Sequence, residues 1–359
     1  MEPWRNMIVQ GDCLAAIKAL SDQLAGRVRL IYIDPPFFSG SEYSIKSRSK
    51  GSPESAPAMQ ETATYSDSWQ GGLDEYLGFM EERLEALRPL LRDDGSLWVH
   101  LDWHVVHYVK TILDRLFAQS NFVNEIIWKR TNSPKVQSLG FGSQHDVILL
   151  YARDSSRFRA QTVYRAHDEV SLRPYAYNDE RGRFRLVEIE AQGIQRGESR
   201  KQFEWRGRTA PYLYTSETLD RWWEEGRIYR SRNGRYSKKQ YLSERKGIPV
   251  SDLWLDIPPL QGSSAEYTGF VTQKPVALMS RILECSTERD DLVADFFAGS
   301  GTTAVAATAM GRRWIVCERS PVSVRIIEER LRGLRTENLR EEDALYNVIR
   351  FDGDSQPAV

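Results

Sequence analysis

Residues 290–320, DDLVADFFAGSGTTAVAATAMGRRWIVCERS, leave this chain little choice of fold. One short apolar run ends on Asp295, and a second ends on Glu318. Between them Gly299 and Gly301 supply a turn, and Ala304–Met310 a helix of small residues. Strand, glycine turn, helix, strand is the βαβ crossover of a mostly parallel sheet. Such a turn lets backbone approach a ligand closely, and an acid ending the next strand can accept two hydroxyl bonds from a ribose. Ala304 stands where a dinucleotide fingerprint has its third glycine, and no lysine follows the turn as in a P-loop. Asp295 and Glu318 flanking the turn therefore fit a nucleoside ligand without a pyrophosphate.

The second constrained stretch is LIYIDPPFFSG, residues 30–40. Leu30–Ile33 reads as a strand buried on both faces, and in such sheets ligands bind beyond the carboxyl ends of strands. Asp34 emerges there. Pro35 and Pro36 fix φ and lack N–H groups, so their carbonyls point outward with no local donor, and Phe37 offers a flat face. An acceptor, rigid carbonyls and a stacking surface suit a planar ring that carries an amino group. The same residues also read as a strand ending in a proline turn with a solvated acid.

The spacing of apolar residues extends the α/β rhythm to both sides. Helices are expected over 13–24, 73–92, 104–119, 272–286 and 321–342, and strands over 28–33, 96–103, 121–130 and 145–154. The Ser-, Gly- and Pro-rich segment 39–72 is too long for an ordinary connection, so it is either disordered or a lid over the site. Residues 131–144 form a loop, and the last residues fray.

From Arg153 the rhythm stops. Residues 153–250 hold 22 Lys/Arg against 14 Asp/Glu, a balance of +8 within a chain of net charge −1. Aromatics such as Tyr164, Tyr177, Trp205, Trp222, Trp223 and Tyr236 interleave with the arginines. Phosphates need cations and bases need stacking faces, so the mixture suits nucleic acid. A solvated α+β domain with an aromatic core is the plainer reading. With 41% hydrophobic and 28% charged residues, the whole chain has the composition of a soluble globular protein. No run approaches the ~18 apolar residues of a membrane span. No signal-peptide pattern opens the chain, and three cysteines without a CxxC pattern argue against zinc and for a reducing cytoplasm.

Together the motifs resemble one family, the amino-group DNA methyltransferases of the β permutation, which use S-adenosylmethionine. IDPPF resembles the catalytic DPPY/F motif, and TQKP and ADFFAGSGTT resemble the cofactor motifs. WIVCERS resembles the strand whose acid holds the ribose, and GSLWVHLD and HDVILLYAR resemble further sheet strands. A catalytic motif that precedes the recognition segment, with the cofactor motif after it, is the β order. The resemblance covers roughly residues 6–335. Phe296 departs from the usual Pro, and Glu318 from the usual Asp.

The resemblance implies a Rossmann-like, doubly wound α/β sheet with circularly permuted motif order and an inserted basic target-recognition region. The implied divisions are a catalytic half over 1–152, a recognition region over 153–262, a cofactor half over 263–340 and a tail over 341–359. Asp34, Pro35, Pro36 and Phe37 are the implied catalytic residues. Asp34 and the Pro35 carbonyl would accept the amino hydrogens of a flipped base while Phe37 stacks on it. Asp12, Lys274, Asp295, Phe296, Phe297, Gly299, Ser300, Gly301, Thr302 and Glu318 are the implied S-adenosylmethionine residues, with no metal. An acid rather than Ser in the first catalytic position resembles the adenine-modifying members, and cytosine amino transfer is the alternative. The implied partner is double-stranded DNA, with a homodimer and a cognate restriction endonuclease as candidates. Two competing readings are a vestigial DNA-binding relative, which the intact Asp34 and Asp295 oppose, and an NAD-type oxidoreductase, which the lack of a pyrophosphate loop opposes.

Overall fold

In a computed structural model, which describes residues 4–46, 62–132, 140–191, 202–334 and 345–351, the α/β rhythm gathers into one sheet. Contacts divide the chain into a unit of residues 164–250 and a unit formed by 1–163 with 251–359. The first unit opens with β1 (Asn6–Gln10), α1 (Cys13–Leu24) and β2 (Val28–Ile33). A hairpin of β3 (Glu42–Lys46) and β4 (Thr62–Ser66) follows. Next come α2 (Gly72–Leu87), β5 (Leu91–Leu101), α3 (Val106–Phe117), β6 (Phe122–Lys129) and β7 (His145–Ala152).

The other unit contains β8 (Tyr164–Arg165), α4 (Glu169–Leu172), β9 (Tyr177–Asp179) and β10 (Gly182–Glu188). It continues through β11 (Phe203–Trp205), β12 (Arg208–Ala210), α5 (Ser216–Glu224), β13 (Ile228–Arg230), β14 (Tyr236–Tyr241) and β15 (Ile248–Pro249). Its sheet runs β13–β14–β10–β9, and β8 pairs with β15 where the chain enters and leaves. Trp205, Tyr212, Trp222 and Tyr236 form its core with Ile189 and Leu219, so part of the interleaved aromatic set is core. Tyr164, Tyr177, Tyr214 and Trp223 are exposed. This unit lies inside the 153–262 span expected from the sequence.

The first unit then resumes with β16 (Leu253–Trp254), α6 (Val276–Ser286), β17 (Leu292–Asp295), α7 (Thr302–Ala309), β18 (Arg313–Glu318), α8 (Pro321–Gly333) and β19 (Tyr346–Arg350). Among the described residues, nine strands form its main sheet in the order β16–β6–β7–β5–β2–β17–β18–β1–β19. Only β7 runs antiparallel to its neighbours there. Strands β2 and β17 are adjacent, with Asp295 opposite Tyr32. One side of the order leads from β17 to β18 and β1, and the other from β2 to β5. The switch point of a doubly wound sheet therefore falls between β17 and β2, and ligands bind at that crevice.

Local chemistry explains the elements beside the crevice. Asp12 caps α1 by accepting from the Leu14 and Ala15 amides at 2.9 and 3.1 Å, satisfying two of the helix's free N–H groups. Cys13, Ala16, Ile17, Leu20 and Leu24 then make the buried stripe of α1. Helix α7 is buried on nearly all sides, which its alanines and threonines permit by letting α6 and α8 approach closely.

Several expectations change, among them the helix expected from residue 272, which begins at Val276 with Pro275 as its N-cap. The helix expected to residue 92 ends at Leu87, because Pro89 has no N–H to continue it, and β5 starts at Leu91. Residues 346–350 of the expected tail form a strand: Tyr, Val and Ile suit a pleated edge, and the segment pairs in parallel with β1. The 39–72 segment contains the β3–β4 hairpin, and its central residues 47–61 lie outside the described residues. So do residues 133–139 of the expected loop and residues 335–342 of the expected last helix. Among the described residues, no helix is long and apolar enough to cross a membrane.

Candidate active site

Strand β2 delivers Asp34 into a cavity of about 730 Å³ at the carboxyl ends of β2, β17 and β18. The size suits a nucleoside-sized ligand, since small-molecule pockets span roughly 300–1,000 Å³. Lys274 Nζ donates to Asp34 Oδ2 from 240 residues away in sequence. Both side chains are mostly buried, 11% exposed for Lys274 and 17% for Asp34. Asp34 Oδ1 is buried and accepts from no protein donor among the described residues. An orphaned carboxylate oxygen beside a paired one is an acceptor still to be satisfied. The Lys274 ammonium also lies 5.3 Å from the centre of the Phe37 ring.

The residues after Asp34 are held firmly. Tyr76, fully buried on α2, donates to the Pro36 carbonyl at 2.8 Å, so this carbonyl has a donor that the local sequence does not reveal. The Phe37 ring stacks on His100 with centroids 6.0 Å apart and planes 27° apart. His100 is fixed in turn by the Tyr32 hydroxyl at 2.9 Å and by Asp146 at 3.2 Å.

On the neighbouring strand the glycine turn has the backbone it needs. Gly299 and Gly301 take φ of +53° and +76°, where a side chain is strained. A Cβ on Gly301 would also lie 2.6 Å from Ile327 Cγ1 on α8. Asp295 accepts from the Phe297 amide at 2.9 Å and from the Thr303 hydroxyl, tying the strand end to the first turn of α7. Burial raises its carboxyl from an ordinary 3.8 to about 7, against the opposing pull of those two donors. Glu318 accepts from the Gly299 and Ser320 amides, both at 2.9 Å, and burial raises its pKa as well. Arg330 reaches back from α8 to the Ser300 carbonyl at 2.7 Å and to Thr302 Oγ1 at 3.1 Å. Burial pulls its guanidinium down to about 10.

Asp12, Asp34, Pro36, Lys274, Asp295, Phe296, Phe297, Gly299, Ser300, Thr302 and Glu318 all line this one cavity. Asp12 does so while capping α1 and pairing with Arg83 at 3.3 Å. Pro35, Phe37 and Gly301 lie outside the lining, with Gly301 as the N-cap of α7. Within the lining Asp295 is 2% exposed and both its oxygens serve the turn. Lys274 points its charge at Asp34.

The N6/N4 methyltransferase profile, described as DNA methylase, matches residues 28–329. The chain belongs to the DNA methylase family. Type II methyltransferase M.EcaI from Enterobacter cloacae is 30% identical over 90% of this methylase and 69% of the relative. Type II methyltransferase M.KpnI from Klebsiella pneumoniae is 25% identical over 85% of this chain and 77% of its own. The type III restriction-modification enzyme StyLTI Mod subunit from Salmonella typhimurium is 25% identical over 87% of this chain. This methylase spans about half of that subunit, 52%.

Tyr76, His100 and Arg330 brace this methylase's site from outside the cavity lining, and no sequence motif marks them. Tyr76 sits on a helix whose apolar spacing reads as ordinary core packing, and Arg330 in a charged last turn that reads as solvated. His100 lies inside an apolar strand, where a lone polar residue among buried neighbours was the available signal.

Proposed function

We propose that this DNA methylase transfers a methyl group from S-adenosylmethionine to the N6 amino group of an adenine flipped out of double-stranded DNA. One observation carries the reading: Asp34, with one oxygen held by Lys274 and the other unpartnered, opens into the same cavity as the Gly299–Gly301 turn. The donor set fits the cofactor, because Glu318 and Asp12 line the cavity as acceptors and the glycine turn admits close approach. When bound, the cofactor supplies an electrophilic methyl group on a sulfonium.

The chain's own residues prepare the amino nitrogen. An exocyclic amino group on an aromatic ring is a poor nucleophile because its lone pair is delocalised. Asp34 Oδ1 would accept one amino hydrogen and the Pro35 carbonyl the other, which favours a pyramidal nitrogen with a directed lone pair. Phe37 would stack on the base, and Asp34 would take the proton shed after transfer. Positioning and electrostatics suffice for such an in-line transfer. Glu318 would hold the ribose and Asp295 would keep the turn in shape.

The basic unit, 164–250, would read the target sequence, with arginines on phosphates and exposed aromatics toward bases. The reading extends to a homodimer, a cognate restriction endonuclease and action on the cytoplasmic chromosome. Sedimentation with DNA, and co-purification with a nuclease encoded alongside the chain, address the first two. The deciding experiment incubates the protein with labelled cofactor and plasmid DNA, then analyses the nucleosides. N6-methyladenine is expected. N4-methylcytosine would replace the adenine assignment, and unlabelled DNA would overturn the reading.

A further inference from the structure

We infer that Asp67 is a positioning residue for the methyl transfer, holding the loop that follows Asp34 in a conformation it would otherwise leave. The inference rests on the proposed reading of Asp34 and Phe37. Asp67 is 1% exposed, yet its hydrogen-bonded partners among the described residues are neutral donors. Oδ1 accepts from the Phe38 amide at 3.1 Å and from Trp69 Nε1 at 3.2 Å. Oδ2 accepts from the Ser39 amide and the Ser39 hydroxyl, both at 2.7 Å. The Asp67 amide in turn donates to the Ser41 carbonyl at 3.0 Å. A buried carboxylate is costly, and four donors converging on it is how such a charge is kept.

Three of those donors, from Phe38 and Ser39, sit at a strained turn. Phe38 has φ of +59°, the left-handed region that residues with side chains avoid. Two successive amides turned toward one anion form a nest, and the anion offsets the strain. The Phe38 side chain has its own place, 5.7 Å from the Tyr76 ring, and the same Tyr76 holds the Pro36 carbonyl. Phe37 is therefore fixed from both sides. Two prolines and Tyr76 set the backbone before it, and Asp67 sets the backbone after it. Without Asp67, Phe38 would relax to negative φ and Phe37 would leave its stack on His100. Trp69, also held by Asp67, lines the cavity and packs edge-on against Tyr76 at 5.2 Å.

The test compares wild type, Asp67→Ala, Asp67→Asn, Phe38→Gly and Phe38→Gly/Asp67→Ala for methyl transfer, cofactor affinity by calorimetry, and folding by circular dichroism. Asp67→Ala should lower kcat by about 10²-fold while cofactor affinity changes less than about threefold, because the glycine turn lies on another strand. Asp67→Asn should fall between, since its amide can accept on one side only, and it serves if the alanine variant does not fold. The decisive arm is the double variant. Glycine adopts positive φ unaided, so Phe38→Gly in the Asp67→Ala background should recover about tenfold of the loss. Equal activity in wild type and Asp67→Ala, or no recovery in the double variant, would overturn the inference. A wild type that moves no methyl would instead sink the reading on which it rests.

Discussion

The methylase cavity and the basic unit treat charge in opposite ways. Around the cavity, three carboxylates are enclosed and each is addressed by named donors: Asp34 by Lys274, Asp295 by Thr303 and Phe297, Glu318 by Gly299 and Ser320. In the 164–250 unit the core is aromatic and the charges stand outside it. Ion pairs there, such as Arg227 with Glu244 at 2.6 Å and Arg206 with Asp220 at 3.8 Å, are part-exposed. Exposed pairs contribute little each and are screened by salt, whereas a buried group loses its whole environment when one partner goes. One region should depend on single atoms and the other on a sum.

The largest effect belongs to Asp34→Ala. Methyl transfer should fall by at least about 10³-fold, with cofactor affinity nearly unchanged by calorimetry. A loss no greater than that of a single arginine in the 164–250 unit would erase the contrast.

Asp295 should reveal itself through pH. Its folded carboxyl titrates near 7 against an ordinary 3.8, so the folded state binds its proton more tightly than the unfolded chain does. That group's contribution is complete below about pH 4 and is lost as pH rises through about 7, by up to about 4 kcal/mol. Denaturant unfolding from pH 4 to 8 should show wild type losing stability relative to Asp295→Asn over that window. Parallel curves would refute the raised carboxyl.

Gly301→Ala comes next. A Cβ at φ +76° and 2.6 Å from Ile327 Cγ1 should destabilise the fold by roughly 2–3 kcal/mol, read as a shift in denaturant midpoint. An unshifted midpoint would mean that α8 yields at no cost.

The smallest effect belongs to Arg206, whose guanidinium lies 4.2 Å from the Trp223 ring centre. Arg206→Ala should weaken DNA binding only a few-fold and lower the slope of log affinity against log salt by about 1. A loss above about 100-fold would mark a concentrated reading site instead of a distributed one.

Much of this site was legible because its signals are local. A glycine needed at positive φ, an apolar run ending in an acid and a proline pair after it each state their geometry within a few residues. Strand β2, helix α1 and the glycine turn accordingly appear where spacing puts them. Less was legible where a residue acts from afar. Asp67 lies in a polar stretch that reads as loop, and Arg330 in a charged last turn that reads as solvated. Residues 346–350 become a strand only because the edge of β1 is open to them.

The parts and their order are written in the chain: an acid-proline-proline-aromatic stretch first, a basic segment next, a glycine turn last. Those are matters of backbone freedom and side-chain type, which travel with the chain. That β2 and β17 lie side by side, and that Lys274 before α6 meets Asp34 across 240 residues, are properties of the packed fold. Pairing in a parallel sheet is a long-range choice, made when many buried side chains are satisfied at once, and no short stretch of sequence contains it.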